Sequence, residues 1–80
     1  MKISKGEYCQ FSLKGRADLL REFGSLVLER TFGHKVVRVF LLYDFYVEMI
    51  YDLQSQEIEK IEPVTSIQLL HLYEQLRPSH

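Results

Sequence analysis

The sequence predicts an α+β fold made of a helix, a four-stranded antiparallel meander and a closing helix. Leu13, Ala17, Leu20 and Phe23 recur at spacings of three and four, the period of one helix face. Residues 25–64 are rich in β-branched and aromatic side chains, which lose rotamer freedom in a helix and fit a pleated surface. After Pro63 a helix-start signature opens a second apolar stripe.

The first ten residues, "MKISKGEYCQ", hold no sustained period and read as a poorly ordered lead-in. Ser12 is placed to cap the first helix and Gly24 to end it at C′. "SLVLERTF" follows as a strand, and Gly33 supplies a turn into "KVVRVFLLY". The run from Val36 to Tyr51 reads as two strands rather than one helix. Polar "LQSQ" leads to a fourth strand, "EIEKIEPV", whose end is marked by Pro63, a residue with no N–H for the ladder. Thr65 is the N-cap of the closing helix, Gln68 its capping-box partner, and Val64 with Leu69 a hydrophobic staple. Leu69, Leu72, Tyr73 and Leu76 form its stripe, Ile67 and Leu70 widen it, and Pro78 lies just beyond. Connections this short exclude parallel crossovers, which need a dozen or more residues.

Eighty residues make a single domain, 1–80, with one core. Hydrophobic residues at 46% against 26% charged give enough apolar area to offset the entropy of ordering the chain, so a disordered protein is excluded. A net charge of -1 lacks the basic footprint of a nucleic-acid binder. Arg38, Asp44, Glu48 and Asp52 interrupt the longest apolar run, which rules out a spanning helix at roughly 2.5 to 3.5 kcal/mol per central charge. The lone Cys9 forms no intramolecular disulfide, and the opening residues carry no basic segment followed by an apolar one, so a cytoplasmic protein is expected.

The stretch "LLYDFYVEMIYD" carries the question of function. Its odd residues Phe45, Val47, Met49 and Tyr51 form one strand face, wholly apolar or aromatic, and are the expected core. A three-residue loop, Leu42 to Asp44, would set Val37, Val39 and Leu41 beside them and Arg38 opposite Glu48. In that register the other face gathers Val36, Phe40, Tyr46 and Ile50 around the Arg38 and Glu48 pair, with Ile58 joining from the next strand. Monomers seldom expose apolar patches beyond about 300 to 600 Å². These six residues, Val36, Arg38, Phe40, Tyr46, Glu48 and Ile50, are the expected interface.

Catalytic chemistry is not expected. Residues four apart on a strand lie about 13 Å from each other, too far for the paired carboxylates of glycosidases, so Asp44, Glu48 and Asp52 read as solvated or salt-bridged acids. Glu57, Glu59 and Glu62 around Lys60 read as a solvated edge. His34, His71 and His80 have no metal spacing, His34 falls in a turn, and Cys9 reads as an unreactive thiol. No glycine-rich phosphate loop or nucleophile elbow is present, and no metal or cofactor is expected.

Residues Phe45, Tyr46, Val47, Glu48, Tyr51, Ile58, Lys60, Ile61, Leu72 and Tyr73 form a pattern of an aromatic pair, "VE", a further aromatic, a polar turn, "I-x-K-I" and a closing helix. In this the second half of the chain resembles small single-domain proteins of Bacteroidetes-type bacteria, with an echo in "GSLVLERTF". The resemblance implies a compact stand-alone fold and supplies no activity.

The expected function is therefore a small non-enzymatic interaction module, pairing with itself as a homodimer or with another protein through the apolar face or a strand edge. The alternatives are a toxin–antitoxin component, ribonuclease-like or its antagonist, using Arg30, Arg38 or His34, and a small-molecule binder with the aromatic face as pocket wall.

Overall fold

A computed structural model describes residues 2–65, and the expected closing helix from Thr65 to Leu76 lies outside them apart from its cap residue. The described chain is α+β: two helices followed by a four-stranded antiparallel meander in the order β1-β2-β3-β4.

The presumed lead-in contains a helix, α1 (Lys5–Tyr8), and this corrects the sequence reading. Ser4 and Glu7 form a reciprocal capping box: Glu7 N donates to Ser4 Oγ at 3.1 Å and Ser4 N to Glu7 Oε1 at 3.0 Å. A single turn is too short to display a hydrophobic period. What holds it is Tyr8, which is fully buried, with its ring against Phe45 at 5.7 Å and its hydroxyl donating to the Arg16 carbonyl at 2.9 Å. That burial raises the phenol's pKa well above its usual value.

Helix α2 (Leu13–Phe23) lies where expected, with Ser12 Oγ accepting from Gly15 N at 3.1 Å. Gly24 ends it, but in extended backbone (φ −82°, ψ 151°) rather than the left-handed form of a C′ glycine. Glycine is required for room: a Cβ at 24 would stand 2.7 Å from the Leu20 carbonyl oxygen.

Strands β1 (Ser25–Phe32), β2 (Lys35–Leu42), β3 (Phe45–Asp52) and β4 (Glu57–Val64) follow the sequence reading closely. Gly33 turns β1 into β2 at φ +57°. Pro63 does not end β4 but pairs opposite Val47, which an edge strand tolerates.

The register of the central hairpin differs from expectation. The loop is the pair Tyr43 and Asp44, and Leu42 lies opposite Phe45, Phe40 opposite Val47, Arg38 opposite Met49 and Val39 opposite Glu48. Tyr43 takes φ 56° without being Gly or Asn, its ring stacked on Phe23 at 6.0 Å. The physical reason is that β2 is apolar at both parities, so alternation does not choose between registers and the turn does.

On one face, the helix face, Leu42, Phe45, Val47, Met49 and Ile61 pack with Tyr8 and Leu20 into the core. Of the four expected core residues, Phe45, Val47 and Met49 are there, joined by Phe40 and Ile58 at its margin, whereas Tyr51 shares the face but is only half-buried, outside the core cluster. Val37, Val39, Leu41, Tyr46, Glu48 and Ile50 point to the opposite face.

Candidate interaction surface

The six expected interface residues do not form one patch. The observed register puts Val36, Arg38 and Phe40 on the helix face and Tyr46, Glu48 and Ile50 on the other. Phe40 packs against the core and Val36 is buried. Arg38 is ion-paired with Glu29 of β1, not with Glu48, whose Oε1 lies 3.1 Å from Lys60 Nζ. Ile58 belongs to the helix face, not to the opposite one.

The acids read as solvated or salt-bridged are salt-bridged. Lys2 Nζ lies 3.2 Å from Asp44, and Lys60 also reaches Glu62 at 3.5 Å. Hydrogen bonding to Glu48, then its charge and that of Glu62, raises the Lys60 pKa against the opposing effect of burial. Asp52 is the hub of the turn end of the sheet. Its Oδ1 accepts from His34 Nδ1 at 3.0 Å and from Gln54 N at 2.8 Å, while Lys35 Nζ lies 3.5 Å from Oδ2 and is also paired with Glu59. The His34 hydrogen bond, seconded by the backbone donors, holds the Asp52 carboxyl far below the usual carboxylate range. The contact of imidazole and carboxylate joins two turns, seconded by a backbone bond in which Leu53 N donates to the His34 carbonyl at 2.7 Å, while Gln56 N donates to the Asp52 carbonyl within the second turn at 2.8 Å.

The residues suggested for a ribonuclease do not converge. Arg38 shares the helix face with Glu29, Arg30 lies opposite Val37 on the other face, and His34 is engaged in its turn. Among the described residues no group of three or more His, Cys, Asp or Glu side chains could hold a metal ion, and Cys9 is an exposed free thiol. His71 and His80 lie outside the described residues. A cleft of about 580 Å³ between the N-terminal residues and the central hairpin is lined by Ile3, Phe45, Tyr46 and Val64, with Lys2 and Asp44 at its rim. No helix among the described residues is long and apolar enough to cross a membrane.

The two sheet edges are unlike. β4 carries Pro63, a bulge opposite Ile50 and Tyr51, and the acids Glu57, Glu59 and Glu62, all devices that discourage strand addition. Arg16 Nη1 also donates to its Ile61 carbonyl at 2.6 Å. β1, the other end of the strand order, has a bulge near its start and otherwise runs eight residues. Leu26, Val27 and Phe32 on it are 51%, 50% and 47% exposed, and Phe23 adjoins them as a further exposed aromatic. The sequence did contain a signal for this. The first strand of a meander is an edge by topology, so the apolar side chains of "SLVLERTF" cannot all be covered by neighbouring strands.

Compared with known proteins, the chain matches no family model, no curated protein and no solved structure.

Proposed function

We propose that the protein is a non-enzymatic interaction module that docks by adding a strand to the outer side of β1, a second copy of the chain being the first partner to test. The observation that carries this reading is the contrast of edges: both strands carry a bulge, but β4 is guarded by Pro63 and acids, whereas β1 presents half-exposed Leu26, Val27 and Phe32 along an eight-residue strand. The salt-bridged state of Glu48 and Asp52 and the scattering of Arg30, Arg38 and His34 favour it over catalysis. A cytoplasmic location is part of the proposal, because an exposed free Cys9 suits a reducing compartment.

The test is sedimentation and light scattering across micromolar concentrations. The wild-type chain is expected to dimerise, and Val27→Lys with Phe32→Lys is expected to return it to the monomer while the circular dichroism spectrum is unchanged. A wild-type chain that stays monomeric throughout removes self-association. A dimer untouched by the two lysines removes β1 as its seat.

A further inference from the structure

Along an antiparallel strand, successive residues turn their backbone N–H and C=O to opposite sides, so an edge strand faces outward at alternate positions. Between β1 and β2 the two-residue loop of Gly33 and His34 makes Phe32 and Lys35 the closing pair, which exchanges both bonds. Phe32, Arg30 and Leu28 therefore face β2, and Thr31 and Glu29 face away from the sheet. The far edge obeys the same rule. The closing pair Leu42 and Phe45 turns Phe45, Val47 and Met49 toward β2, which leaves Pro63 and Ile61 of β4, opposite Val47 and Met49, facing outward. Pro63 has no N–H to present there, and the outward Ile61 carbonyl is the one that accepts from Arg16.

The two outward positions of β1 are not equivalent. The Glu29 carbonyl already accepts from Arg30 Nη1 at 2.8 Å. Thr31 is exposed, and among the described residues no bond reaches its outward N–H or C=O. We propose that β1 receives a second copy of the chain antiparallel, about a two-fold axis at Thr31, where the two threonines exchange both backbone bonds. This rests on the β1 reading above and deepens it by naming the register. The axis stands perpendicular to the sheet, so the joined sheet is continuous and carries the helices of both copies on one face.

Such an axis sets one residue opposite its own copy, and Thr31 is the residue that suits the place. Its donor and acceptor are both used, and the bond from Arg30 to the Glu29 carbonyl is kept. An axis at Glu29, or one at Arg30 that sets Glu29 opposite Thr31, has to break that bond. An axis at Leu28 runs into the bulge between Leu26 and Leu28. Side chains agree with the backbone. Facing threonines are a favourable cross-strand pair, whereas the axes at Glu29 and Arg30 set like charges face to face. With the axis at Thr31, the half-exposed Phe32 ring comes opposite Arg30 of the second copy, an aromatic face beside a cationic side chain.

The experiment places single cysteines in the full chain with Cys9→Ser and follows disulfide formation between copies. Thr31→Cys is expected to cross-link fastest, because a hydrogen-bonded pair stands about 5.5 Å apart at Cα, within disulfide reach. In the same register the copies of Arg30→Cys lie about 8 Å apart and those of Glu29→Cys about 14 Å, both too far. Thr31→Pro is the second arm. It removes an N–H that β2 does not use, so the circular dichroism spectrum is expected to stay unchanged while the dimer weakens at least about tenfold, two ladder bonds being lost. A wild-type dimer that cross-links fastest through Glu29→Cys or Arg30→Cys, or that survives Thr31→Pro in full, would overturn the Thr31 axis and leave strand addition at β1 standing. A wild-type chain that sediments as a monomer removes self-association itself, and the register with it.

Discussion

Lys60 holds two carboxylates that the sheet sets against each other. β3 and β4 pair with Glu48 directly opposite Glu62, and the Lys60 ammonium lies 3.1 Å from the first and 3.5 Å from the second. Like charges facing across strands are destabilising, and one diagonal lysine reverses the sign. Lys60→Met is expected to cost about 1 to 2 kcal/mol, because Glu48 is then left buried without its partner. Adding Glu62→Gln recovers part of that loss, and a double-mutant cycle in urea reads the coupling. The raised Lys60 pKa gives the pair a pH signature. Its stabilisation is fully present below about 10.5, the ordinary lysine value, and is lost as pH rises above it through the folded-state value.

Asp52 sets the opposite limb. Its folded-state pKa lies below its ordinary 3.8, so the stability it confers is complete above about pH 4 and is lost as the pH falls through and below that value. Asp52→Asn is expected to be less stable than the wild type at neutral pH, with the gap closing in acid. Thermal melts from pH 7 down to pH 2 check it. A gap independent of pH would mean that the loss lies in geometry rather than in charge.

Arg16 ties both helices to the sheet. Its guanidinium donates to the carbonyls of Phe11 at 3.1 Å, Cys9 at 2.8 Å and Ile61 at 2.6 Å. Arg16→Ala is expected to lower stability by about 2 kcal/mol, and Arg16→Lys to recover less than half of it, since an ammonium cannot reproduce the planar fork. Urea midpoints at unchanged m-value measure both.

Two glycines are needed for different reasons, and alanine separates them. At Gly33 a Cβ meets nothing within 4 Å but φ is +57°, so Gly33→Ala is expected to cost about 1 kcal/mol through the backbone alone. At Gly24 the backbone is ordinary but the Cβ would stand 2.7 Å from the Leu20 oxygen, and Gly24→Ala is expected to cost about 1 to 3 kcal/mol by displacing the end of α2. Gly33→Asn tests the assignment: asparagine tolerates left-handed backbone and is expected to be milder than alanine there.

The strands and α2 were legible because each is governed by nearby sequence: Ser12 and Gly24 bracket one helix, and β-branched runs separated by Gly33 or "LQSQ" mark the sheet. The hairpin register was not, since Val36, Val37, Val39, Phe40, Leu41 and Leu42 offer two apolar faces and alternation has no preference between them. The expected interface fell with that register, although each of its residues lies on the strand foreseen for it. Helix α1 and the Arg16 bonds were out of reach for another reason. Their stability comes from Tyr8 meeting Phe45 and from a guanidinium meeting a carbonyl of β4, contacts that no local pattern announces.

The turn at Tyr43 and Asp44 makes the hairpin directional under changes of length. An inserted residue only widens the loop and leaves Leu42 opposite Phe45. Removing Tyr43 cannot be absorbed in that way: the tightest remaining loop, Leu42 with Asp44, brings Leu41 opposite Phe45. Val37, Val39 and Leu41 would then take the core side, and Phe40 and Leu42 would leave it. A second sheet, with its inside and outside exchanged along one strand, lies a single deletion away in the same chain. The polypeptide can grow at this corner without consequence, but it cannot shrink there and remain the same molecule.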